Sequence, residues 1–503
     1  MKTIGLVELP AVRLIDEHGK DWTVVRRRET LGSKQILGAS LAQDFDVTLV
    51  NTRLNPAEWE FGQVRWGETT ISKVACGMPL SELDPHAFDA WGITVNYHKD
   101  REVACRFIRH LAAAGGRVVV GGSDAIAEPQ PYLAVGACAV VLSKDGSANR
   151  ALMEHITGMR LSVPLQAVAL PDGNILSQSV WSHPEDWPLP SEALVKDTLG
   201  YEYWEGILPP DLLPIGIVCP DIGCDRTCDF CQTWLYRIRY AAERPGRALG
   251  NRYKYQSPER VEAWARAQTN AGAKSLIVLA DQFLGRVLFG NKGREEVIRI
   301  CEILRATGVP FLFPNGLELA KATLGRGAKG GNPTPDEELV NALWGWDGQV
   351  GCAHAYIPAE RPIMGPRAYP KLLELEHHKR MLRAIVRTGV PRISYGVIIG
   401  LEEDSDESMQ TLLEQILLLR DELKAVNPSL VFWLVPFCIR PIPGTPRAKI
   451  LQDKGLVRYT DPALSGGYWT ATCDTNYMGY REVAEWQQKL LQTVSGDEAF
   501  WYT

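Results

Sequence analysis

The stretch "PIGIVCPDIGCDRTCDFCQTWLYRIRY", residues 214–240, places Cys224, Cys228 and Cys231 within eight residues, directly after a short apolar run. Thiolates are soft ligands that suit zinc and iron–sulfur clusters. A structural zinc site closes its shell with four ligands, yet no second cysteine pair follows at finger spacing and no histidine lies nearby in the sequence. Three cysteinates suit a [4Fe–4S] cluster better. Such a cluster keeps one iron without a protein ligand, and that iron is a place for a substrate or cofactor to bind. Zinc stays the alternative on the residues alone.

The remaining eight of the 11 cysteines are scattered singly through apolar segments such as "REVACRFIRHL". That is the pattern of reduced, buried thiols, not of a secreted disulfide framework. A net charge of −6 and a pI near 5.9 give no broad basic surface, so neither nucleic acid nor an anionic membrane is expected as a partner. The first residues, "MKTIGLVELPAVRLIDEHG", break their apolar run at Glu8 and Pro10 and lack a signal-peptide layout. The longest apolar run, Leu430–Ile439, falls well short of the ~18 residues a membrane span needs. A cytoplasmic protein is expected.

The elements that must position the cysteines read as α/β, and 503 residues predict two or three domains. In residues 1–158 the runs 3–9, 46–51, 90–96, 117–122 and 138–143 are short and continuously apolar, as parallel strands covered on both faces are. Amphipathic stretches lie between them, so this part is expected to be a five-stranded doubly wound, Rossmann-like domain. Its ligands should sit at the carboxyl ends of the strands, beside 96–98 and 121–123. Residues 159–205, rich in Pro, acidic and aromatic residues, read as a linker. From 206 to 450 the alternation resumes, with strands expected at 215–218, 275–280, 309–314, 350–357, 393–399 and 430–436. Helices are expected at 258–271, 292–307, 335–344, 368–388 and 406–425. Six β-α repeats with right-handed crossovers curl into a partial (β/α)6 barrel with its chemistry on the C-terminal face. Residues 451–503 read as a small α-rich C-terminal segment that shapes a substrate pocket.

The C-x3-C-x-aromatic-C pattern, with Phe230 as the aromatic, resembles the signature of the radical S-adenosylmethionine (radical SAM) superfamily. In that family the open iron chelates the amino and carboxylate groups of SAM, and one electron cleaves SAM to a 5′-deoxyadenosyl radical. Further segments resemble the family in the same order: "ADQFLG" (280–285), "YIPAER" (356–361), "GVIIGLEEDSDES" (396–408) and "PIPGTP" (441–446). The resemblance implies SAM contacts from Phe230, Asp281, Gln282, Glu360, Ser394, Ile398 and Gly400. It departs from the family at Asp281-Gln282-Phe283, where Gly-Gly-Glu is common, and on both sides of Glu360.

The N-terminal part looks like the cobalamin-binding domain fused to many radical SAM enzymes, through "GSKQILGASLAQDFDVTLVN" and "VVVGGSDAIAEPQPYLAVGACAVVLSKDG". That likeness implies cobalamin contacts from Asn96, Tyr97, His98, Gly121, Gly122, Ser123 and Ser143, with Gly122 letting backbone approach the corrin. Asp16 and His18 share the D-x-H spacing of a cobalt-ligating loop, but Asp21 stands where that motif has Gly, and a solvated loop histidine is expected. Together the resemblances imply a cobalamin-dependent radical SAM enzyme that methylates an unactivated carbon of a small-molecule or peptide substrate through methylcobalamin. An external one-electron reductant such as flavodoxin or ferredoxin would serve it. A cyclase, ring-contraction or dehydration enzyme of the same architecture, with or without cobalamin, is the nearest alternative, and a non-catalytic iron–sulfur or zinc protein the remote one. No second N-terminal cluster motif supports a methylthiotransferase. No catalytic base is legible.

Overall fold

The computed structural model describes all residues except 24, 145, 178–182, 204–207, 234–252, 328–330, 362–370, 467–469 and 497–503. The chain divides into two compact units: Met1–Thr198 with Asp229–Arg252 and Arg440–Thr472, and Leu199–Cys228 with Tyr253–Ile439 and Cys473–Thr503.

In the first unit five parallel strands carry the expected apolar runs: Lys2–Glu8, Phe45–Asn51, Ala90–Thr94, Val118–Gly121 and Ala139–Val141. Numbered along the chain, they lie in the order 2-1-3-4-5, the doubly wound arrangement. Ile4 lies opposite Val47 on one side and Ala90 on the other, and Ile4, Leu6, Val7, Val118, Val120 and Val140 are fully or almost fully buried. Residues 168–169 and 175–176, inside the stretch read as a linker, extend the sheet by an antiparallel pair at the outer edge of the fifth strand. Farther on, Thr198 bonds to Gln35 of helix Gly32–Leu41, so this stretch packs on the first unit as far as that residue.

A three-stranded antiparallel sheet, Ala11–Asp16, Glu58–Trp66 and Thr69–Cys76, was not expected. Its signal was present: burial alternates on either side of a bulge between Glu60 and Gly62 in Glu58–Trp66, before the chain turns back at Gly67. This sheet holds part of the C-terminal stretch: Trp66 Nε1 donates to the Ala471 carbonyl, and the Tyr459 hydroxyl accepts the Gly67 N–H.

The second unit is an open barrel of six parallel strands in sequence order: Ile215–Val218, Ser275–Val278, Phe311–Phe313, Cys352–Glu360, Arg392–Ile399 and Val431–Cys438. The intervening helices are Pro258–Asn270, Asn291–Ala306, Glu337–Trp344, Leu375–Arg387 and Asp406–Val426. Their starts are chemically marked. Ser257 accepts the Arg260 N–H ahead of Pro258, Asp336 accepts that of Leu339, and Ser405 forms a capping box with Ser408. The helix expected at 368–388 begins at Leu375; residues 368–370 lie outside the described residues. The open edge at the sixth strand is covered by helix Tyr480–Ser495, whose Gln487 donates to the Pro436 carbonyl while Ser495 Oγ accepts the Leu434 N–H.

Candidate active site

The loop leaving the first barrel strand carries the cysteines, and its base is buried. Asp221, 2% exposed, accepts the N–H groups of Asp281 (3.1 Å) and Gln282 (3.3 Å) on one oxygen and the Tyr253 hydroxyl (3.2 Å) on the other. Burial pushes its carboxyl up to about 7; Arg286 opposes the rise and Asp281 adds to it. Asp281 returns the contact by accepting the Gly223 N–H at 2.7 Å. The loops after the first and second strands are thus stitched together next to Cys224.

A charged network continues from there. Glu318, after the third strand, is 6% exposed and pairs with both Nε and Nη2 of Arg226. Lys321, fully buried, reaches Asp225 at 2.5 Å and Glu318 at 3.1 Å. Gln282 Nε2 lies 3.1 Å from Glu318 and 4.0 Å from the Cys224 sulfur. The Cys224 sulfur also accepts the Arg226 N–H at 3.4 Å, and the Cys231 sulfur that of Thr233 at 3.4 Å. Among the described residues no three His, Cys, Asp or Glu side chains gather tightly enough to hold a single metal ion. Three half-buried thiols with backbone N–H donors on two of their sulfurs match the donor chemistry of an iron–sulfur cluster.

Other expected residues fall at the same C-terminal edge of the barrel. Glu360 ends the fourth strand at a bulge, with φ +57° and its carboxylate paired to Lys371. Burial works against the Lys371 ammonium, but Glu360, then the Cys228 sulfur and Glu318, hold it above the ordinary lysine range. Ile398 and Gly400 lie at the end of the fifth strand, where the Ile398 carbonyl accepts from Arg361, itself locked to buried Asp404. Gly396 is required by packing: a Cβ there would meet the Tyr356 hydroxyl at 2.0 Å. Ser394 is not brought to this edge. It is the third residue of its strand, fully buried, and bonded at 2.8 Å to His354, which burial pulls down to about 3. Phe230 is half-buried in the turn after Cys228.

In the first unit the loops after strands three and four meet at the expected crevice. Gly122, φ +98°, is needed there, but for the protein's own backbone: a Cβ would stand 2.5 Å from the Val95 carbonyl oxygen. At Gly121 a Cβ would meet Asn149 Oδ1 and the Val141 Cβ at 3.9 Å, an ordinary contact. Asn96 Oδ1 accepts the Ser123 N–H at 3.4 Å, Tyr97 is 65% exposed, and Ser143 is buried behind the fifth strand. His98 Nδ1 is 2.8 Å from buried Asp124, which also holds Arg101 and Tyr132. His18 is exposed in a turn organised by Asp16, whose carboxylate accepts the N–H groups of His18 and Lys20 and the indole of Trp22. The D-x-H spacing there serves a turn. Buried Lys34, 3.7 Å from Glu8 at the end of the first strand, and buried Asp100 each keep a polar atom without a hydrogen-bond partner among the described residues.

No family model and no curated protein matches the chain. Solved structures do. The cobalamin-dependent S-adenosylmethionine radical enzyme OxsB, bound to aqua-cobalamin and S-adenosylmethionine, aligns at TM-score 0.64 over 96% of this chain, at 14% identity. The radical S-adenosylmethionine methyltransferase TsrM from Kitasatospora setae, with tryptophan substrate and a SAM analog, aligns at TM-score 0.56 and 12% identity over 98% of this chain and 89% of its own. A second TsrM structure, with cobalamin and a [4Fe-4S] cluster, aligns at 0.55. The fold is that of the cobalamin-dependent radical SAM enzymes. The chain spans 66% of the OxsB chain.

Neither Glu318 nor Lys321 was singled out from the sequence, and neither was Asp221 or Tyr253. The signal for Asp221 was position: an acidic residue three before the first cysteine. Glu318 and Lys321 lie in "NGLELAKATL", which carries no spacing that marks a site.

Proposed function

We propose that this protein is a cobalamin-dependent radical SAM enzyme that methylates a carbon centre of a small-molecule or peptide substrate. The observation that carries the reading is the cysteine triad on the loop leaving the first strand of a six-stranded parallel barrel, in a chain that also contains a doubly wound unit of order 2-1-3-4-5. Cys224, Cys228 and Cys231 would hold the [4Fe–4S] cluster, and Glu360, Ile398 and Gly400 would line the SAM site. Asp281 and Gln282 stand one layer behind, pinning the cysteine loop and flanking Cys224. Asn96, Tyr97, His98, Gly121 and Ser123, with Gly122 shaping the loop, would frame the corrin, and Ser143 would contribute from the loop after the fifth strand. The Asp100 carboxyl oxygen that has no hydrogen-bond partner among the described residues fits a ligand that donates amide N–H groups. When bound, the cluster supplies an electron that cleaves SAM, and cobalamin carries the methyl group. The residues hold these groups in place and keep water away.

The test is anaerobic reconstitution followed by counting metals. About four irons per chain and one cobalamin are expected, with reductive cleavage of SAM. The variant with all three cysteines changed to Ala should lose both the brown colour and the cleavage. Stoichiometric zinc in place of iron would overturn the reading.

A further inference from the structure

We infer that Gln282 is a positioning residue for Cys224, oriented by the buried Glu318 network, and that its N–H raises the reduction potential of the cluster. The inference rests on the cluster assignment of the cysteines and adds a lever to it.

The argument begins with the amide. A glutamine side chain can present either its oxygen or its nitrogen to a neighbour, and the neighbours decide which. Here Nε2 lies 3.1 Å from Glu318 Oε2. A carboxylate only accepts, so the nitrogen end of Gln282 must face it. The carboxylate is itself fixed, with 3% of its side chain exposed and with Arg226 and Lys321 on it. An amide nitrogen carries two N–H groups. One is spent on Glu318, and Nε2 stands 4.0 Å from the Cys224 sulfur, within reach of a bond to sulfur. Gln282 is 9% exposed, so little water competes for that second N–H.

The consequence follows from charge. Hydrogen bonds to the sulfurs of a cluster are among the determinants of its potential. An N–H aimed at a thiolate sulfur stabilises the reduced cluster, which is the more negative state, and so raises the potential. Glu318 touches no cysteine in this chain of contacts. It acts by deciding which end of Gln282 faces the sulfur.

The test is an electron paramagnetic resonance-monitored redox titration of the reconstituted protein without SAM, comparing wild type with Gln282→Met and Gln282→Asn. Methionine keeps the volume and removes the donor; asparagine keeps the amide but draws it back. The expected result is full iron content with a midpoint lowered in the Met variant and lowered by a smaller amount in the Asn variant. Combining Glu318→Gln with Gln282→Met should give a shift that departs from the sum of the two single shifts. If the Met variant cannot hold iron, the Asn variant and the Glu318→Gln single variant carry the comparison, and unchanged midpoints in both overturn the inference. A wild-type cluster whose midpoint the Met variant leaves unaltered overturns the inference alone. Wild-type protein that takes up no iron–sulfur cluster overturns the cysteine assignment, and the inference with it.

Discussion

Asp221 is a carboxyl that folding makes harder to ionise, because it is buried beside Asp281 even though two backbone N–H groups and a tyrosine point at it. The folded protein therefore holds this proton more tightly than the unfolded chain does. Its contribution favours folding at low pH and is lost as pH rises from the unfolded value of 3.8 through about 7. Asp221→Asn keeps an oxygen for the two N–H groups and cannot ionise. Thermal melts of the apoprotein should show the variant gaining on wild type as pH rises from 4 to above 7, by up to a few kcal/mol at about 1.4 kcal/mol per unit of raised pKa. A difference that stays flat with pH would show that Asp221 ionises freely. Gly396 gives a second residue-scale prediction, since its missing side chain makes room for the Tyr356 hydroxyl. Gly396→Ala should cost roughly 1–3 kcal/mol in denaturant unfolding, and Tyr356→Val in the same chain should recover part of it. No recovery would mean the clash is relieved elsewhere.

The elements were legible where burial imposes a simple pattern. A parallel strand covered on both faces must be apolar throughout, and Ile215–Val218 and Ile4–Val7 show it directly. The antiparallel sheet is less legible because Glu58, Glu60 and Arg65 interrupt any continuous apolar run in its strand. The site was legible only where residue type and spacing alone carry the chemistry, as in the cysteines. Glu318 and Lys321 matter through contacts of 92 and 96 residues' separation with Arg226 and Asp225, which no local pattern records. Ser394 shows the converse: a polar residue in the fifth strand whose place, third of eight, no local pattern records. The "PIPGTP" turn shows what such a motif does physically. Thr445 caps helix Pro446–Asp453, and the turn clasps the residues around Cys231: Arg447 pairs with Asp229, and Gln232 donates to the Pro443 carbonyl at 2.8 Å. Arg447→Met should weaken that clasp. Because Asp229 is 30% exposed, the loss should fall below the roughly 3–5 kcal/mol of a fully buried pair. Iron should leave the reconstituted variant faster under chelator than it leaves wild type, with circular dichroism unchanged. Equal rates of loss would separate the turn from cluster retention.

At the scale of the whole molecule, the reading proposed for the chain asks two units to serve one reaction, and that makes a stoichiometric demand. A cluster held by Cys224, Cys228 and Cys231 would account for one SAM, used as the radical source and recovered as 5′-deoxyadenosine with methionine. The doubly wound unit, if it holds cobalamin, accounts for a second SAM, which gives up its methyl group and leaves as S-adenosylhomocysteine. With the substrate found, both products should appear in equal amounts per methylated product, because each turnover requires one of each. Deuterium at the target carbon should pass into 5′-deoxyadenosine, since the carbon freed from SAM is the one strong hydrogen-abstracting centre in the scheme. Each departure has its own meaning. S-adenosylhomocysteine without deoxyadenosine would mean polar methyl transfer, with the cysteine loop reduced to a binding site. Deoxyadenosine without methyl transfer would mean that the barrel works and the doubly wound unit does not donate a methyl group, as in a cyclase or dehydratase. Unequal but correlated yields would point to SAM cleavage uncoupled from transfer. That ratio should worsen on replacing Gly122, whose backbone crossing at Val95 shapes the crevice, while iron content stays constant.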